Sequence, residues 1–309
     1  MLGRIAGAVR FKEPLSFHTS LRIGGPAEFF VMPHDLDDLR YAMAFAEQEA
    51  LPVMLLGGGN NVLASDRGVQ AVVLKLHGVF SRAEFQGCEA AVGAGMSLSG
   101  LIREAAAHDL GGLECLAGIP ASVGGALATN AGTREGSIVD FCSAVYFLHP
   151  DGTLGEFRPL GGATSGQAFD GPPGSILVGC RLQLVRRPAE KIHGDIQQRL
   201  KQRHSAKPLA LATAGYVWKD PLGDSAARLV AASGLRGKRV NAAEICAKSC
   251  NLIVNRGGAS HNDVLALMAL TQERVEAQFG ITLRPEIRML GFTAPAALEA
   301  EPLEAAGAR

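Results

Sequence analysis

The stretch of residues 55–63 constrains this chain most, because it reads Leu-Leu-Gly-Gly-Gly-Asn-Asn-Val-Leu. An apolar segment runs into three adjacent glycines and two asparagines and then becomes apolar again. Three glycines in a row lose much backbone entropy on folding, so they are tolerated where the chain needs positive φ or approaches a ligand closely. Turn N–H groups freed in this way form concavities that bind anions. The stretch therefore predicts a phosphate-binding loop, with an ordinary glycine-rich turn between strands as the alternative.

Composition and charge exclude several classes of protein. The 309 residues include 30 Lys+Arg and 30 Asp+Glu, and 47% are hydrophobic, which suits one large or two medium globular domains. The balanced charge argues against nucleic acid or an anionic membrane surface as the main partner. No run of about 20 apolar residues occurs and the N-terminus lacks an apolar signal segment, so we expect a cytoplasmic protein. A monomer is the default expectation, because the pattern shows no exposed apolar patch.

The cysteines and aromatic residues narrow the choice of ligand. Six cysteines are scattered without a CxxC pair, so we expect buried reduced thiols and no metal site. Aromatic residues make up only 6% of the chain while there are 38 glycines. This composition favours binding through the backbone over aromatic stacking.

Hydrophobic periodicity predicts two small lobes in the first part of the chain. The first lobe, about residues 11–80, has a helix capped by Asp35 and strands on both sides of the glycine stretch. The second lobe, about residues 81–188, has a helix that Ser97 caps and that extends to about Leu110. Its predicted strands cover residues 89–95, 139–148 and 175–185.

A second glycine-rich tract covers residues 118–132, which read GIPASVGGALATNAG. Small residues allow the backbone to lie against a flat ring, and their N–H groups could bond the polar edge of that ring. The alternative is a Gly/Ala helix that packs closely on a sheet.

The last part of the chain starts near Arg187-Pro188, where the composition changes and a charged helix begins. Ser260 with Asp263 resembles a capping box at the start of a long amphipathic helix. Residues 161–174 are nearly all Gly, Pro, Ala and Ser, which predicts an exposed loop. The tail after Phe292 lacks an apolar stripe and is predicted to be disordered over residues 293–309.

Apolar residues alternate over residues 281–289, which predicts a strand. On its other face Glu286 would lie between Arg284 and Arg288. Such a face is either a solvated ladder of charges or a held catalytic carboxylate, and the pattern alone favours the ladder.

Six stretches in a fixed order resemble the UDP-N-acetylenolpyruvoylglucosamine reductases, and they run from about Phe11 to Gly291. Each stretch alone is a weak signal, whereas six collinear ones are specific. They are HTSLRIGGPA (18–27), GGGNNVL (57–63), GIPASVGGALATNAG (118–132), TAGYVWKDP (213–221), CNLIVNRGGASHNDV (250–264) and FGITLRPEIRMLG (279–291).

The resemblance implies an α+β fold. A two-lobed FAD-binding domain of the PCMH/vanillyl-alcohol-oxidase type would cover residues 11–188, and a smaller α+β substrate-binding domain would cover residues 189–292. It also implies that NADPH reduces FAD and that the enolpyruvyl ether of UDP-N-acetylglucosamine is reduced to UDP-N-acetylmuramate. This is a cytoplasmic step of peptidoglycan synthesis, so the expected partner is a small UDP-sugar.

The resemblance also implies three groups of binding residues by position. The group expected at the FAD pyrophosphate is Gly57, Gly58, Gly59, Asn60, Asn61 and Val62. The group expected to line the flavin is Gly118, Ile119, Ser122, Gly124, Gly125 and Asn130. The group expected at the substrate is Lys219, Asp220 and Arg288.

The catalytic positions match the family only in part. Reduction beside a carboxylate creates an enolate, which needs stabilisation and then a proton on the adjacent carbon. The family uses a glutamate, which Glu286 matches, and a serine, in whose place Tyr216 stands, so we expect Tyr216 to donate the proton. The family's arginine is absent from residues 167–175, and Asp220 stands where asparagine is common. The candidates for a replacement cation are Arg284, Arg288, Arg256 and Lys219.

Three hypotheses are consistent with these features. The first hypothesis is a divergent but working reductase. The second is a flavoprotein of the same fold that acts on a different substrate. The third hypothesis is a non-catalytic relative that binds FAD or a UDP-sugar.

Overall fold

The computed structural model describes residues 2–158, 171–206 and 211–292. Most of the predicted loop 161–174 and the whole tail 293–309 lie outside the described residues. The helices are α1 (Leu36–Gln48), α2 (Leu98–Ala107), α3 (Val123–Ala128), α4 (Ala189–Ala206), α5 (Ala226–Ala232) and α6 (His261–Phe279).

The first ten strands are β1 (Ala8–Pro14), β2 (Pro26–Met32), β3 (Val53–Leu55), β4 (Val62–Ala64), β5 (Val69–Leu74), β6 (Ala83–Gln86), β7 (Glu89–Gly93), β8 (Leu110–Gly111), β9 (Gly132–Thr133) and β10 (Gly136–Ser137). The remaining strands are β11 (Cys142–Leu148), β12 (Leu154–Phe157), β13 (Ile176–Gln183), β14 (Val185–Arg186), β15 (Ala212–Tyr216), β16 (Arg239–Val240), β17 (Ala243–Ile245), β18 (Leu252–Asn255) and β19 (Arg288–Leu290).

The chain divides into two compact units that are not continuous in sequence. The first unit holds most of the chain before α5, and the second holds residues 15–25, residues 61–69 and the described residues from 211 onward. This division differs from the predicted boundaries of 11–188 and 189–292. The physical reason is burial, because Leu21 and Leu63 lie in the same apolar core as the C-terminal helices.

The first unit contains a four-stranded sheet in the order β1-β2-β5-β3, in which β3 and β5 are parallel. Helix α1 covers this sheet and buries Leu39 and Ala42 against Val72. As predicted, Asp35 caps α1, and its Oδ1 accepts hydrogen bonds from the N–H groups of the next turn. These packed layers hold the carboxyl end of β3, where the glycine stretch begins.

A five-stranded antiparallel sheet in the order β12-β11-β13-β7-β6 forms the other part of the first unit. Ser97 caps α2 as predicted, but the helix ends at Ala107 because Asp109 turns the chain with φ +55°. The predicted strand 139–148 begins only at Cys142. Its first residues form a 3₁₀ turn, in which the Asp140 carboxylate accepts a hydrogen bond of 2.7 Å from the Ser137 N–H.

The second unit contains the antiparallel sheet β15-β18-β17-β16 and the parallel pair β4–β19. Helix α6 packs on this sheet through its buried stripe of Val264, Leu267, Met268, Thr271 and Val275. The predicted capping box is confirmed, since Ser260 and Asp263 exchange hydrogen bonds at the start of α6.

The predicted strand over residues 281–289 is shorter than expected and covers only β19. Pro285 has no N–H to donate, and it makes only an isolated bridge with Trp218. The alternation itself is present, because Leu283 and Ile287 are buried while the charged residues between them are exposed. The charged face therefore exists on a segment that is held by few ladder bonds.

Candidate functional site

The glycine loop starts at the carboxyl end of a parallel strand in the first unit. Leu55 pairs with Leu74, and the Leu56 N–H donates to the Leu74 carbonyl at 2.9 Å. The ladder ends there, and the chain enters the glycines. Gly59 has φ +66°, a conformation that side chains with a Cβ rarely adopt. The positive φ predicted for this stretch is therefore present.

Ser122 brings the second glycine-rich tract to this loop. A Cβ on Gly57 would lie 2.6 Å from Ser122 Oγ, which is too close for any residue other than glycine without movement. Ser122 is only 8% exposed, and its Oγ is held as the N-cap of α3 by the Gly125 N–H at 3.1 Å. The two tracts, more than 60 residues apart in sequence, therefore meet within the first unit.

The main chain at this contact presents free hydrogen-bond donors. Within the described residues, the N–H groups of Gly57, Gly58, Asn60 and Ser122 donate to no protein acceptor. The Ser122 nitrogen lies 3.9 Å from the position of a Cβ on Gly58, so the donors lie close together. Such a set of N–H groups suits a diphosphate, which needs several donors and no bulky side chain. The residues present therefore fit the pyrophosphate of FAD.

Two glycines of the second tract serve packing. A Cβ on Gly124 would lie 2.9 Å from Ala94 Cβ, and the Gly124 N–H donates to the Ala94 carbonyl at 2.8 Å. Gly118 has φ +78° and faces Leu200 of α4, 3.1 Å from the position of its missing Cβ. The alternative of a Gly/Ala helix packed on a sheet thus describes Gly124, and a flavin contact for either glycine stays a prediction.

The other residues expected at the flavin or the pyrophosphate lie around α3 or directly after the glycine loop. Ile119 is half-buried and packs on the core of the first unit. Asn130 follows α3, is 1% exposed and has φ +42°, which asparagine tolerates better than most residues. Asn61 and Val62 belong to the second unit, where Val62 pairs with Arg288.

The second unit brings the two expected catalytic residues onto neighbouring segments. The Glu286 N–H donates to the Val217 carbonyl at 2.8 Å, directly after Tyr216 in the chain. Tyr216 is 41% exposed and the Glu286 side chain is also exposed. Both side chains are therefore accessible to a ligand.

Asn251 holds this arrangement and was missed by the sequence analysis. Its side chain accepts from the Trp218 N–H at 2.9 Å and donates to the Trp218 carbonyl at 2.8 Å. Asn251 is 4% exposed, so both bonds are protected from water. The available signal was a lone amide at the start of the apolar run CNLIV.

Asn61 makes a second contact that the sequence did not predict. Its Nδ2 donates to the Glu286 carbonyl at 3.1 Å, and its own carbonyl accepts from the Arg288 N–H at 3.0 Å. Asn61 therefore fixes the segment that carries Glu286.

The candidate replacement cations differ in whether they already form an ion pair. Arg256 binds the buried carboxylate of Glu244 through Nε at 3.0 Å and Nη2 at 2.7 Å, and Arg239 binds the same group. These hydrogen bonds, with that of Arg256 the strongest, hold the pKa of Glu244 below its usual value. Arg256 is thus committed to a structural ion pair. Lys219 and Arg284 are exposed and form no ion pair within the described residues.

Asp220 has a structural contact of its own. Its Oδ1 accepts from the Ala226 N–H at 2.8 Å, at the first residue of α5. A carboxylate at a helix N-terminus is stabilised by the free N–H groups there. Substrate binding by Asp220 stays a prediction.

No group of three or more His, Cys, Asp or Glu residues that could hold a metal lies among the described residues. All six cysteines are unpaired, and four of them are buried. None of the described helices is long and apolar enough to cross a membrane.

Comparison with known proteins identifies both parts of the chain. A model of an FAD binding domain matches residues 27–158, and a model of the UDP-N-acetylenolpyruvoylglucosamine reductase C-terminal domain matches residues 207–290. The chain is 38% identical over 292 residues to UDP-N-acetylenolpyruvoylglucosamine reductase 2 of Symbiobacterium thermophilum, covering 93% of this chain and 94% of that protein. It is also 38% identical over 288 residues to the reductase of Syntrophotalea carbinolica, covering 92% and 94%.

A solved structure supports the same assignment. The crystal structure of UDP-N-acetylenolpyruvylglucosamine reductase from Thermus caldophilus is 36% identical, with a TM-score of 0.79, and the match covers 92% of this chain and 99% of that one. The α+β fold with an FAD-binding domain, predicted from the sequence, is thereby confirmed. Since these matches extend over nearly the whole chain, it belongs to the UDP-N-acetylenolpyruvoylglucosamine reductase family.

Proposed function

We propose that this chain reduces the enolpyruvyl double bond of UDP-N-acetylglucosamine enolpyruvate to give UDP-N-acetylmuramate, with Glu286 and Tyr216 as its catalytic side chains. As a member of its family it is an FAD-dependent oxidoreductase that uses NADPH and acts in peptidoglycan precursor synthesis. The observation that supports this assignment of residues is the hydrogen bond from the Glu286 N–H to the carbonyl of Val217, the residue that follows Tyr216. We further propose that the protein acts as a cytoplasmic monomer without nucleic-acid or membrane partners.

The first unit would hold the cofactor. The N–H groups of Gly57, Gly58, Asn60 and Ser122 would bind the pyrophosphate, because they are free and close together. When bound, FAD supplies the hydride that adds to one carbon of the double bond. The loop itself positions the cofactor and takes no part in proton transfer.

The second unit would supply the proton and stabilise the negative charge. Hydride addition leaves an enolate on the carboxylate side of the substrate, and that enolate needs one proton on the neighbouring carbon. The Tyr216 hydroxyl would donate this proton and regain one from water. The phenol ring carries its oxygen further from the backbone than a serine does, so the substrate must lie further from β15 than a serine would require. Glu286 would orient the reacting group.

Two exposed cations near Glu286 in the chain fold are our candidates to replace the missing arginine. The Lys219 N–H donates to the Arg284 carbonyl at 2.9 Å, on the other side of the bridge between Trp218 and Pro285. Opposite residues of an antiparallel pair share a face, and both cations are exposed. We propose that Lys219 and Arg284 stabilise the carboxylate and diphosphate of the substrate, together with Arg288.

The decisive experiment follows NADPH oxidation by the purified flavin-loaded protein with and without UDP-N-acetylglucosamine enolpyruvate. We expect yellow protein and oxidation that the substrate stimulates. Glu286→Gln should keep its flavin and lose between about 100- and 1,000-fold in kcat, as enzymes do when one charge-stabilising group is removed.

Other outcomes would identify the remaining hypotheses. Flavin-loaded protein whose NADPH oxidation ignores the substrate would overturn the proposed reaction in favour of a different substrate or a non-catalytic role. Protein that binds no flavin would contradict the assignment of the glycine loop.

A further inference from the structure

Asn61 is the first residue of the second unit after the glycine loop, and it makes two bonds to the segment around Glu286. Its carbonyl accepts from the Arg288 N–H at 3.0 Å, which is the first rung of the parallel pair between β4 and β19. Its side-chain Nδ2 donates to the Glu286 carbonyl at 3.1 Å. The two partners are separated from Asn61 by more than 220 residues of sequence.

The second of these bonds replaces a rung of the ladder. In a parallel pair in which Val62 lies opposite Arg288, the preceding rung would run from the Asn61 main-chain N–H to the Glu286 carbonyl. The chain turns away into the glycine loop at this point, and the side-chain amide of Asn61 takes over that donor position. Within the described residues, the main-chain N–H of Asn61 donates to no protein acceptor.

The Glu286 peptide is consequently held on both sides. Its N–H donates to the Val217 carbonyl at 2.8 Å and its carbonyl accepts from Asn61. Few other ladder bonds hold this segment, because Pro285 has no N–H and regular strand structure begins only at Arg288. The amide of Asn61 thus restricts the Glu286 main chain, from which the side chain extends.

We propose that Asn61 is a positioning residue for Glu286: its side-chain amide fixes the Glu286 peptide. Aspartate of the same shape has no side-chain donor and cannot make this bond. This proposal rests on the proposed function for its effect on catalysis, but its structural part can be measured without turnover.

The first test uses Asn61→Asp and measures hydrogen exchange of the peptide segment 284–290 in purified protein. We expect exchange to become about tenfold faster there, because the donor to the Glu286 carbonyl is lost. The matched control is Asn255→Asp, which removes another amide donor of the second unit, from Nδ2 to the Leu21 carbonyl at 3.0 Å. That control should leave segment 284–290 unchanged. Unchanged exchange in Asn61→Asp would overturn the proposal, whether or not the wild type turns over.

The second test asks whether Asn61 acts through Glu286. In Asn61→Asp we expect the substrate-dependent kcat to fall between about 10- and 100-fold, because a small misplacement of a catalytic group has effects of this size. The kcat is expressed per bound flavin, so that a change in flavin content does not enter it. In the background of Glu286→Gln the same substitution should then add little, since the group that it positions is already removed.

Two results would contradict this second part. An equal fall of kcat in the wild-type and Glu286→Gln backgrounds would show that Asn61 does not act through Glu286. A wild type without substrate-dependent turnover would instead contradict the proposed function and leave the exchange measurement as the test of Asn61.

Discussion

The glycine loop of the first unit presents main-chain groups to a ligand, whereas the Tyr216–Glu286 segment of the second unit presents side chains. The loop offers main-chain N–H groups at Gly57, Gly58 and Asn60, and it needs the absence of side chains. The other segment offers exposed side chains, and hydrogen bonds hold its main chain in place. A site made of main-chain groups therefore keeps its binding capacity as long as its glycines are kept. A site made of side chains changes its chemistry with a single substitution, such as tyrosine for serine.

The two regions also differ in what keeps them in shape. Close contact holds the loop, because Gly57 lies against Ser122 with no room for a Cβ. The buried amide of Asn251 holds the Tyr216–Glu286 segment, because it binds both main-chain groups of Trp218. Substitutions in the first region should thus change flavin content, and those in the second should change turnover at constant flavin content.

Tyr216→Phe should have the largest effect. It removes the hydroxyl that we expect to donate the proton, and loss of a general acid lowers kcat by between about 100- and 10,000-fold. Flavin absorbance should stay constant, and steady-state NADPH oxidation with substrate measures the fall.

Tyr146→Phe is the matched control, since this half-buried tyrosine lies in β11 of the first unit. Its kcat should change less than about twofold. A Tyr216→Phe variant that turns over normally would show that Tyr216 is only a packed ring. The proposal that the second region supplies the proton through this side chain would then be wrong.

Gly57→Val should have the next largest effect and should act on the cofactor. The added Cβ would collide with Ser122 Oγ, so we expect flavin affinity to fall at least about tenfold, as a change of 1.4 kcal/mol would produce. Flavin titration followed by fluorescence gives the dissociation constant.

Gly194→Ala in α4 serves as the control, because no atom lies within 4 Å of its added Cβ. This variant should bind flavin as the wild type does. Full flavin occupancy in Gly57→Val would contradict the assignment of the loop to flavin binding. If excess flavin did not restore turnover, the substitution would affect more than flavin binding, and the proposed division of roles between the two regions would be wrong.

Glu244→Gln should have the smallest effect, and it acts on stability. The buried Glu244 carboxylate is bound by two arginines, so its loss should lower the free energy of unfolding by about 1–3 kcal/mol at neutral pH. Because hydrogen bonds from Arg256 and Arg239 lower the pKa of Glu244, its contribution is present above the ordinary carboxyl pKa. That contribution is lost as the pH falls through the lowered value.

The difference in stability between wild type and Glu244→Gln should therefore shrink below about pH 4 in urea unfolding experiments. Glu156→Gln is the control, since Glu156 forms an exposed ion pair with Arg158 and should matter by less than about 1 kcal/mol. A constant difference at all pH values would show that the loss of packing, and not of charge, is responsible.

Local signals account for the parts that were predicted from the sequence. The caps at Asp35, Ser97 and Ser260 depend on residues within one turn, and the structure has all three. The family was recognised from six short motifs whose order does not depend on folding. The predicted strand 281–289 was too long, because Pro285 interrupts the ladder although the apolar alternation continues.

The sequence by itself determined the family, the cofactor and the glycine loop, since each depends on residue types at fixed short spacings. Only the tertiary structure decided that residues 15–25 and 61–69 join the second unit, that Arg256 is committed to Glu244 and that Asn61 reaches Glu286. The first of these depends on the apolar burial of Leu21 and Leu63, and the other two consist of a few polar bonds beyond the reach of one helical turn. The local periodicity of the sequence does not predict such a pairing, so only the folded structure shows it.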